Sequence, residues 1–215
     1  MAVIFPRWSN YLPQAVGLAV PLAVALAVFG AWYWFSPRFT EMGYAPRQPV
    51  PYSHKLHAGD LGLDCRYCHN TVERAPHAAL PPTATCMNCH KTILKESPRL
   101  EPVRHSAETG ESIPWVRVHK LPDFAFFDHS AHLAAGVGCV SCHGRVDQMR
   151  VVRVAEPMSM AWCLDCHRNP TPHLRPRAEV TSMAWDARVA GYDPRADRSR
   201  PRQPDPPTYC SGCHR

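Results

Sequence analysis

All ten cysteines of this 215-residue chain fall in one five-residue pattern, Cys-x-x-Cys-His. The pattern occurs five times, and its copies are numbered here as motif 1 (65–69), motif 2 (86–90), motif 3 (139–143), motif 4 (163–167) and motif 5 (210–214). Two thiols at this spacing can add to the two vinyl groups of one porphyrin, and the adjoining histidine can bind its iron. The sequence therefore predicts five covalently bound haem c groups and a chain that folds around them.

The five motifs define the predicted attachment residues and the proximal iron ligands. The attachment residues are Cys65, Cys68, Cys86, Cys89, Cys139, Cys142, Cys163, Cys166, Cys210 and Cys213, and the proximal ligands are His69, His90, His143, His167 and His214. A zinc ribbon does not require a histidine after every second cysteine. A disulfide framework would leave the five histidines unexplained. A thioredoxin-like redox site would occur once, within a βαβ pattern that this sequence lacks.

Two histidine pairs precede motifs 1 and 3. The stretches YSHKLHAGDLGLDC (52–65) and FDHSAHLAAGVGC (127–139) share an aromatic residue followed by His-x-x-His, then a motif cysteine. Residues three apart on a helix occupy neighbouring, slightly diverging positions on one face. Each pair can therefore serve two different irons, and we predict four distal ligands: His54, His57, His129 and His132.

The pairs also reveal an internal repeat. Each copy contains the His-x-x-His pair, one motif close behind it, and a second motif slightly more than twenty residues later. The repeat predicts a duplicated two-haem unit, at 52–90 and 127–167, with a fifth haem added at 210–214.

One iron then lacks a distal ligand. His119 is one candidate, and Met158, Met160 and Met183 are candidates with sulfur, with Met160 and Met183 preferred. A methionine ligand would raise the reduction potential of its haem, but packing beside a haem would explain a methionine equally well. The remaining histidines are expected to face solvent; they are His77, His105 and His173.

Proline makes up 23 of the 215 residues, about twice the usual share. Long helices are hard to form with so many helix-breaking residues. We therefore predict a mostly irregular fold in which short α-helices carry the motifs around a haem-packed core, as in a class III-like multihaem cytochrome c domain.

The N-terminal segment is apolar, with no charged residue from Trp8 through Pro37. As a helix, residues 15–35 would span roughly 31 Å, which matches a bilayer core. The sequence AWYWF (31–35) resembles an interfacial aromatic belt and stands where a cleaved signal peptide needs small residues. We therefore predict a short cytoplasmic N-terminus and a single membrane-spanning helix within residues 1–36.

Covalent haem c is attached outside the cytoplasm, so the haem domain (37–215) is expected on the periplasmic side of a bacterial inner membrane. The net charge of +6 would suit an acidic partner. Nucleic acid is excluded as a partner by that location. Haem propionates would offset most of this charge. The most basic cluster is Arg195, Arg198, Arg200 and Arg202, which is expected either to lie in a solvated loop near propionates or to form a docking surface for another subunit.

Two further stretches are distinctive: IPWVRVHKLPDFAFFDHSAHLAAGVGCVSCHG (113–144) and MSMAWCLDCHRNP (158–170). Together with the apolar segment, the five motifs and the two histidine pairs, they resemble the pentahaem subunit of bacterial alternative complex III. The resemblance covers essentially the whole chain. It implies an electron-transfer subunit, without a catalytic site, in a respiratory or photosynthetic quinol:electron-acceptor oxidoreductase. Quinol would be oxidised in a polytopic membrane subunit. Electrons would pass through an iron–sulfur subunit to this chain, then to a monohaem cytochrome or small soluble acceptor.

Two other function classes stay open. A self-standing membrane-anchored quinol dehydrogenase would place its first haem close behind the helix, whereas thirty positions separate Phe35 from Cys65 here. A multihaem reductase would need an iron with an open axial position, and this chain contains enough candidate ligands to close every iron.

Overall fold

The computed structural model describes residues 5–36, 41–199 and 204–214. The chain divides into two compact units, Met1–Glu41 and Met42–Arg215.

The first unit consists of one helix, α1 (Leu12–Trp34), which a 3-10 turn (Arg7–Tyr11) precedes. A proline in the first turn of α1 does not destabilise the helix, because the N–H groups of that turn have no intrahelical partner. The segment Arg7–Trp34 is long and apolar enough to cross a membrane, and none of its side chains is buried. Length and composition alone would also suit a signal sequence.

The second unit is built from short helices joined by irregular chain. They are α2 (Cys65–Cys68), α3 (Thr83–His90), α4 (Glu101–Thr109), α5 (His129–Ala135), α6 (Val140–His143), α7 (Met160–Arg168) and α8 (Cys210–Cys213). A π-helical turn (Lys55–Asp60) and 3-10 turns at Pro98–Leu100, Val146–Gln148, Thr171–His173 and Arg177–Glu179 lie between them. Within the described residues there is no β-strand, only two isolated bridges, Ala125 with His214 and Val137 with Leu174.

Local capping fixes where the motif-bearing helices begin and end. The Asp64 carboxylate accepts a hydrogen bond from the Arg66 N–H at the start of α2, and Ser159 caps α7 in the same way. Asp128 accepts from the N–H groups at the start of α5, and Gly136 ends that helix with a φ of 82°. The predicted short helices in a mostly irregular chain are confirmed, and each motif lies on one of them.

Hydrophobic side chains form only a small core. Among the described residues, the buried hydrophobic side chains are Val50, Val72, Val103, Leu133, Met149, Val154, Leu174 and Val180. Val72, Leu133 and Val180 pack together, with Ala78 against them. This cluster joins the loop after motif 1 to α5 and to the segment after motif 4. So little apolar burial is consistent with an interior that porphyrins complete.

Candidate haem sites

Seven of the predicted iron ligands share one hydrogen bond, from Nδ1 to a backbone carbonyl oxygen. The pairs are His57 with Ser53 (2.9 Å), His69 with Ala79 (2.9 Å), His90 with Ile93 (3.0 Å), His129 with Pro76 (2.7 Å), His132 with Asp128 (2.7 Å), His167 with Pro207 (2.7 Å) and His214 with Phe124 (3.3 Å). A carbonyl oxygen can only accept, so Nδ1 carries the proton and Nε2 keeps its lone pair. This is the tautomer and orientation that a metal-binding histidine needs.

Three pairs of imidazole rings stand at the separation that a shared iron requires. With metal–nitrogen bonds of about 2 Å, two imidazoles on opposite sides of one metal ion have ring centres roughly 6 Å apart. The ring centres of His57 and His90 are 6.2 Å apart, those of His132 and His167 are 6.1 Å apart, and those of His129 and His143 are 6.4 Å apart. The described residues thus bring three predicted distal ligands to three predicted proximal ligands.

The two copies of the repeat have matching local geometry. The Tyr52 ring lies 4.8 Å from His54 at 87° and 4.4 Å from His57 at 24°. In the second copy Phe127 lies 4.7 Å from His129 at 88° and 4.5 Å from His132 at 30°. The aromatic residue before each pair therefore contacts both histidines, edge-on to the first ring and stacked on the second, so the two rings are steeply inclined to each other and can face different irons.

A cluster of histidines surrounds His143. Burial, together with the neighbouring His119 and His129, lowers the pKa of His143 to about 3. The ring of His119 lies 4.5 Å from that of His143, too close for one iron to stand between them. Burial likewise lowers the pKa of His54 to about 4, with His69 and His57 as further causes. Low pKa values keep these imidazoles neutral, which is the form that binds iron.

Two buried ring nitrogens in this part of the chain lack a hydrogen-bond partner among the described residues. They are Nδ1 of His54 and Nε2 of His119. A buried nitrogen without a partner is costly unless another group satisfies it. Thiol pairs and neutral imidazoles with a free Nε2 together fit haem c.

Motifs 1 and 2 contact each other directly, since the Asn88 amide donates a hydrogen bond of 3.0 Å to the Tyr67 hydroxyl. Motifs 1 and 3 meet through the segment after motif 4. Cys139 N–H donates to the carbonyl of Val180 (2.9 Å), and the next residue, Thr181, donates to the Asp64 carboxylate (2.8 Å). The thiols of Cys65 and Cys139 lie close together, and the neighbouring Cys65 and burial raise the pKa of Cys139.

Helix α5 joins motif 3 to motif 4, because His129 faces His143 and His132 faces His167. Motif 4 is in turn close to motif 5. His167 donates to the carbonyl of Pro207, and burial and the nearby Cys213 thiol raise the pKa of Cys163. The motifs are therefore neighbours in the order 2, 1, 3, 4, 5, which differs from their order in the chain.

The cysteines at the two ends of this row are the accessible ones. Of the ten motif cysteines, Cys89 of motif 2 and Cys210 of motif 5 are exposed, and the other eight are half-buried. Motifs 1, 3 and 4 thus lie inside the row and motifs 2 and 5 at its accessible ends.

Residues 125–215, which contain motifs 3 to 5, match the protein family described as cytochrome c7 and related cytochrome c. Over 133 residues the chain is 38% identical to the menaquinone reductase multihaem cytochrome c subunit of Nitratidesulfovibrio vulgaris (strain Hildenborough). That match covers 60% of this chain, and the chain spans about 60% of the relative's length. These findings support a multihaem c-type cytochrome.

The other candidate ligands of this multihaem cytochrome differ in their surroundings. Met160 is 67% exposed on α7, and Met183 is half-buried. Met158 adopts a φ of 44°, unusual for a residue other than glycine. As expected, His77 and His105 are exposed.

One expectation about the histidines is wrong. His173 was expected in solvent but is half-buried, because the 3-10 turn Thr171–His173 places it beside the buried Leu174.

Sequence patterns alone could not identify two residues that support the candidate haem sites. Asp64 links motif 1 to Thr181, 117 positions away. Arg175 is buried against the chain that leads into motif 3. An aspartate directly precedes a motif only at motif 1, and Arg175 belongs to no repeated pattern. Neither residue could therefore be singled out from the sequence.

Proposed function

We propose that this multihaem cytochrome is the electron-transfer subunit of a quinol-oxidising membrane complex, with five covalently bound haem c groups. The observation that carries the proposal is the row of five motifs with its exposed ends. A row of haems separated by contacting side chains suits electron transfer between two partners, one at each end.

The chemistry follows from the axial ligands. Haem supplies a one-electron couple when it is bound. The chain's own side chains would do the rest: cysteines would hold each group, and two side-chain ligands, histidine pairs at most sites, would close both faces of its iron. The carbonyl partners of Nδ1 hold the rings in place and raise the basicity of the ligating nitrogen. An iron closed on both faces exchanges electrons and does not bind a substrate, so this subunit has no catalytic site of its own.

The proposed order of transfer is 2–1–3–4–5 or its reverse. The contact between Cys65 and Cys139 is its central step, because it joins the two halves of the duplicated unit. Motif 2 and motif 5 then face the two partners, which we propose to be the iron–sulfur subunit and a periplasmic monohaem cytochrome or small soluble acceptor.

The membrane side of the proposal rests on α1 and on both sequence similarities. The helix is proposed as an uncleaved anchor that packs against polytopic quinol-binding subunits in a bacterial inner membrane, with the haem domain in the periplasm. The similarity to alternative complex III favours quinol oxidation. The relative's name, menaquinone reductase, favours a second candidate, the same subunit carrying electrons towards quinone.

Extraction of the tagged chain in a mild detergent tests this assignment. We expect a polytopic membrane subunit and an iron–sulfur subunit to co-purify, and we expect quinol to reduce the haems in that complex. The isolated chain should neither oxidise quinol nor reduce nitrite. Steady quinol turnover by the isolated chain would support a self-standing dehydrogenase instead, and nitrite turnover would support a multihaem reductase.

The direction of transfer is a separate measurement on the same preparation. Haem reduction on addition of quinol, followed by reoxidation with an added high-potential cytochrome, supports quinol oxidation. Quinone reduction by the pre-reduced complex, with no haem reduction by quinol, would support the second candidate.

A further inference from the structure

Arg175 is a buried arginine beside motif 3. Its exposed fraction is 6%, and it follows Leu174, the most deeply buried large side chain among the described residues. Arginine is almost never buried to this degree without a specific reason. Burial lowers the pKa of its guanidinium, but arginine remains charged at neutral pH.

The guanidinium lies against the backbone that leads into motif 3. A Cβ atom added at Gly138 would collide with Cζ and Nε of Arg175, so the close approach depends on this glycine. Gly138 directly precedes Cys139, a predicted attachment residue. The charge therefore stands one residue from the point where the porphyrin would be bonded.

Several contacts hold the charge in this position. The Trp185 ring centre lies 5.0 Å from Cζ of Arg175, within range of a cation–π interaction. Nη1 donates to the carbonyl oxygen of Ser182 (2.8 Å), and the backbone N–H of Arg175 donates to the carbonyl of Gly136 (2.9 Å). Contacts at both the backbone N–H and the guanidinium of Arg175 thus hold the residue in place.

A fixed positive charge close to a haem destabilises the ferric state relative to the ferrous state, because oxidation adds a positive charge. The effect is much larger for a buried charge than for an exposed one, since water screens the latter. Net charge and burial around the site are established means by which a protein sets a haem potential.

We propose that Arg175 raises the reduction potential of the haem bound at motif 3. This inference rests on the proposed function, because it assumes a haem at that motif. In the proposed order, motif 3 stands in the middle of the row, where it receives electrons from one half of the duplicated unit and passes them to the other. A raised potential at this position draws electrons across the Cys65–Cys139 contact.

Redox titration of the purified, haem-loaded chain tests the proposal, with Arg175→Met and Arg175→Lys as the main variants. Met keeps an apolar stem but removes the charge, and Lys keeps the charge. We expect Arg175→Met to lower one of the five potentials, changing that haem's reduction equilibrium by about tenfold, or about 59 mV for one electron. We expect Arg175→Lys to retain most of the wild-type value.

Arg177→Met is the matched control, because Arg177 is exposed and two positions away. It should leave all five potentials unchanged. Trp185→Leu provides a second route if Arg175→Met fails to mature, since it admits water to the same charge; we expect a smaller drop in the same potential. Haem-specific NMR signals assign the affected group to motif 3.

Unchanged potentials in Arg175→Met or Trp185→Leu would overturn the proposal. An equal drop in Arg175→Lys and Arg175→Met would do so as well, because it would show that side-chain shape and not charge matters. These outcomes are separate from failure of the proposed function, which would appear as a missing haem in the intact mass or as quinol turnover by the wild-type chain.

Discussion

Several predicted ligands depend on carbonyl oxygens from distant parts of the chain. His129 donates to Pro76, 53 positions away, and His167 donates to Pro207, 40 positions away. Because proline cannot extend a helix, both acceptors stand in irregular chain with a carbonyl available to a side chain. The high proline content that prevents long helices thus also supplies partners for the iron ligands.

The distal role of the second histidine in each pair gives the first prediction. Replacing His57 or His132 by alanine should leave one iron with an open face, because each ring stands at the correct separation from His90 or His167. Each reduced variant should bind one equivalent of carbon monoxide, measured by its optical difference spectrum. His105→Ala, which removes an exposed histidine paired with Glu111, is the control and should bind none. If neither ligand variant binds carbon monoxide, the assignment is wrong.

The second prediction concerns the distal ligand at motif 5. His119 lies beside His143, which leaves a methionine for His214. Met160 and Cys163 are three residues apart on one face of α7, and Cys163 lies near Cys213. We therefore predict that Met160 binds the iron of motif 5. Near-infrared magnetic circular dichroism should show a sulfur-to-iron charge-transfer band that Met160→Leu removes.

Met183→Leu is the matched control and should keep the band. Loss of the band in Met183→Leu alone would transfer the role to that residue. Absence of the band in the wild type, together with an iron opened by His119→Ala, would establish an all-histidine set.

Local spacing in the sequence predicts the candidate ligands but not the residues that contact them. The thiols and proximal histidines follow from local spacing, since one porphyrin must be reached by five consecutive residues. The role of Arg175 could not be predicted, because it depends on contacts with Gly138 and Trp185 that form only when two distant segments pack together.

The two histidine pairs lie on different elements. The second pair occupies the first turn of α5, as the three-residue spacing predicted. The first pair begins at the N-cap of the π-helical turn Lys55–Asp60, where Leu61 N–H donates to the carbonyl of Leu56, five residues back. A Cβ at Gly59 would collide with the carbonyl oxygen of Asp147, so this turn packs directly against neighbouring backbone. The first pair thus also lies on a helical turn, as the spacing predicted, but on a π-helical one that packs against neighbouring backbone.

The third prediction concerns the cap of α2. Asp64 accepts from Arg66 and from Thr181, so Asp64→Asn weakens both the helix start and the junction between motifs 1 and 3. Asparagine can still cap the helix, so the change removes mainly the charge that faces Arg66 in an exposed ion pair. We expect a loss of about 0.5 kcal/mol in the free energy of unfolding at neutral pH. Denaturant unfolding of the haem-loaded protein measures this loss. Asp123→Asn, at an exposed carboxylate, is the control and should have little effect.

The difference in unfolding free energy between wild type and Asp64→Asn should depend on pH. The hydrogen bond from Arg66 lowers the pKa of Asp64 to about 2, below its ordinary value near 3.9. The stabilisation is therefore fully present above about pH 4 and is lost as the pH falls through 2. The difference in stability between wild type and Asp64→Asn should shrink over that range; a constant difference from pH 5 to pH 2 would contradict this account.

At the scale of the whole molecule, the motifs are connected in space in an order that the chain does not follow. The segment after motif 4 returns to contact both Cys139 and Asp64, so motif 1 meets motif 3. The duplication could be predicted from spacing, because it repeats in the sequence. The junction between the two copies could not be predicted, because it depends on the segment around Val180, which has no counterpart elsewhere in the sequence.

The haem count can be checked by the intact mass of the purified chain. Five motifs that use every cysteine predict a mass that exceeds the polypeptide by five haem groups. A smaller increase would show that at least one motif has a different role.

Anomalous scattering at the iron absorption edge, from crystals of the haem-loaded chain, would locate each iron and so test the proposed row. Five iron peaks are expected in one unbranched row. The iron of motif 2 should stand at one end and that of motif 5 at the other, with the iron of motif 3 in the middle and that of motif 1 next to it. Fewer than five peaks, or an iron of motif 2 adjacent to that of motif 3, 4 or 5, would contradict it.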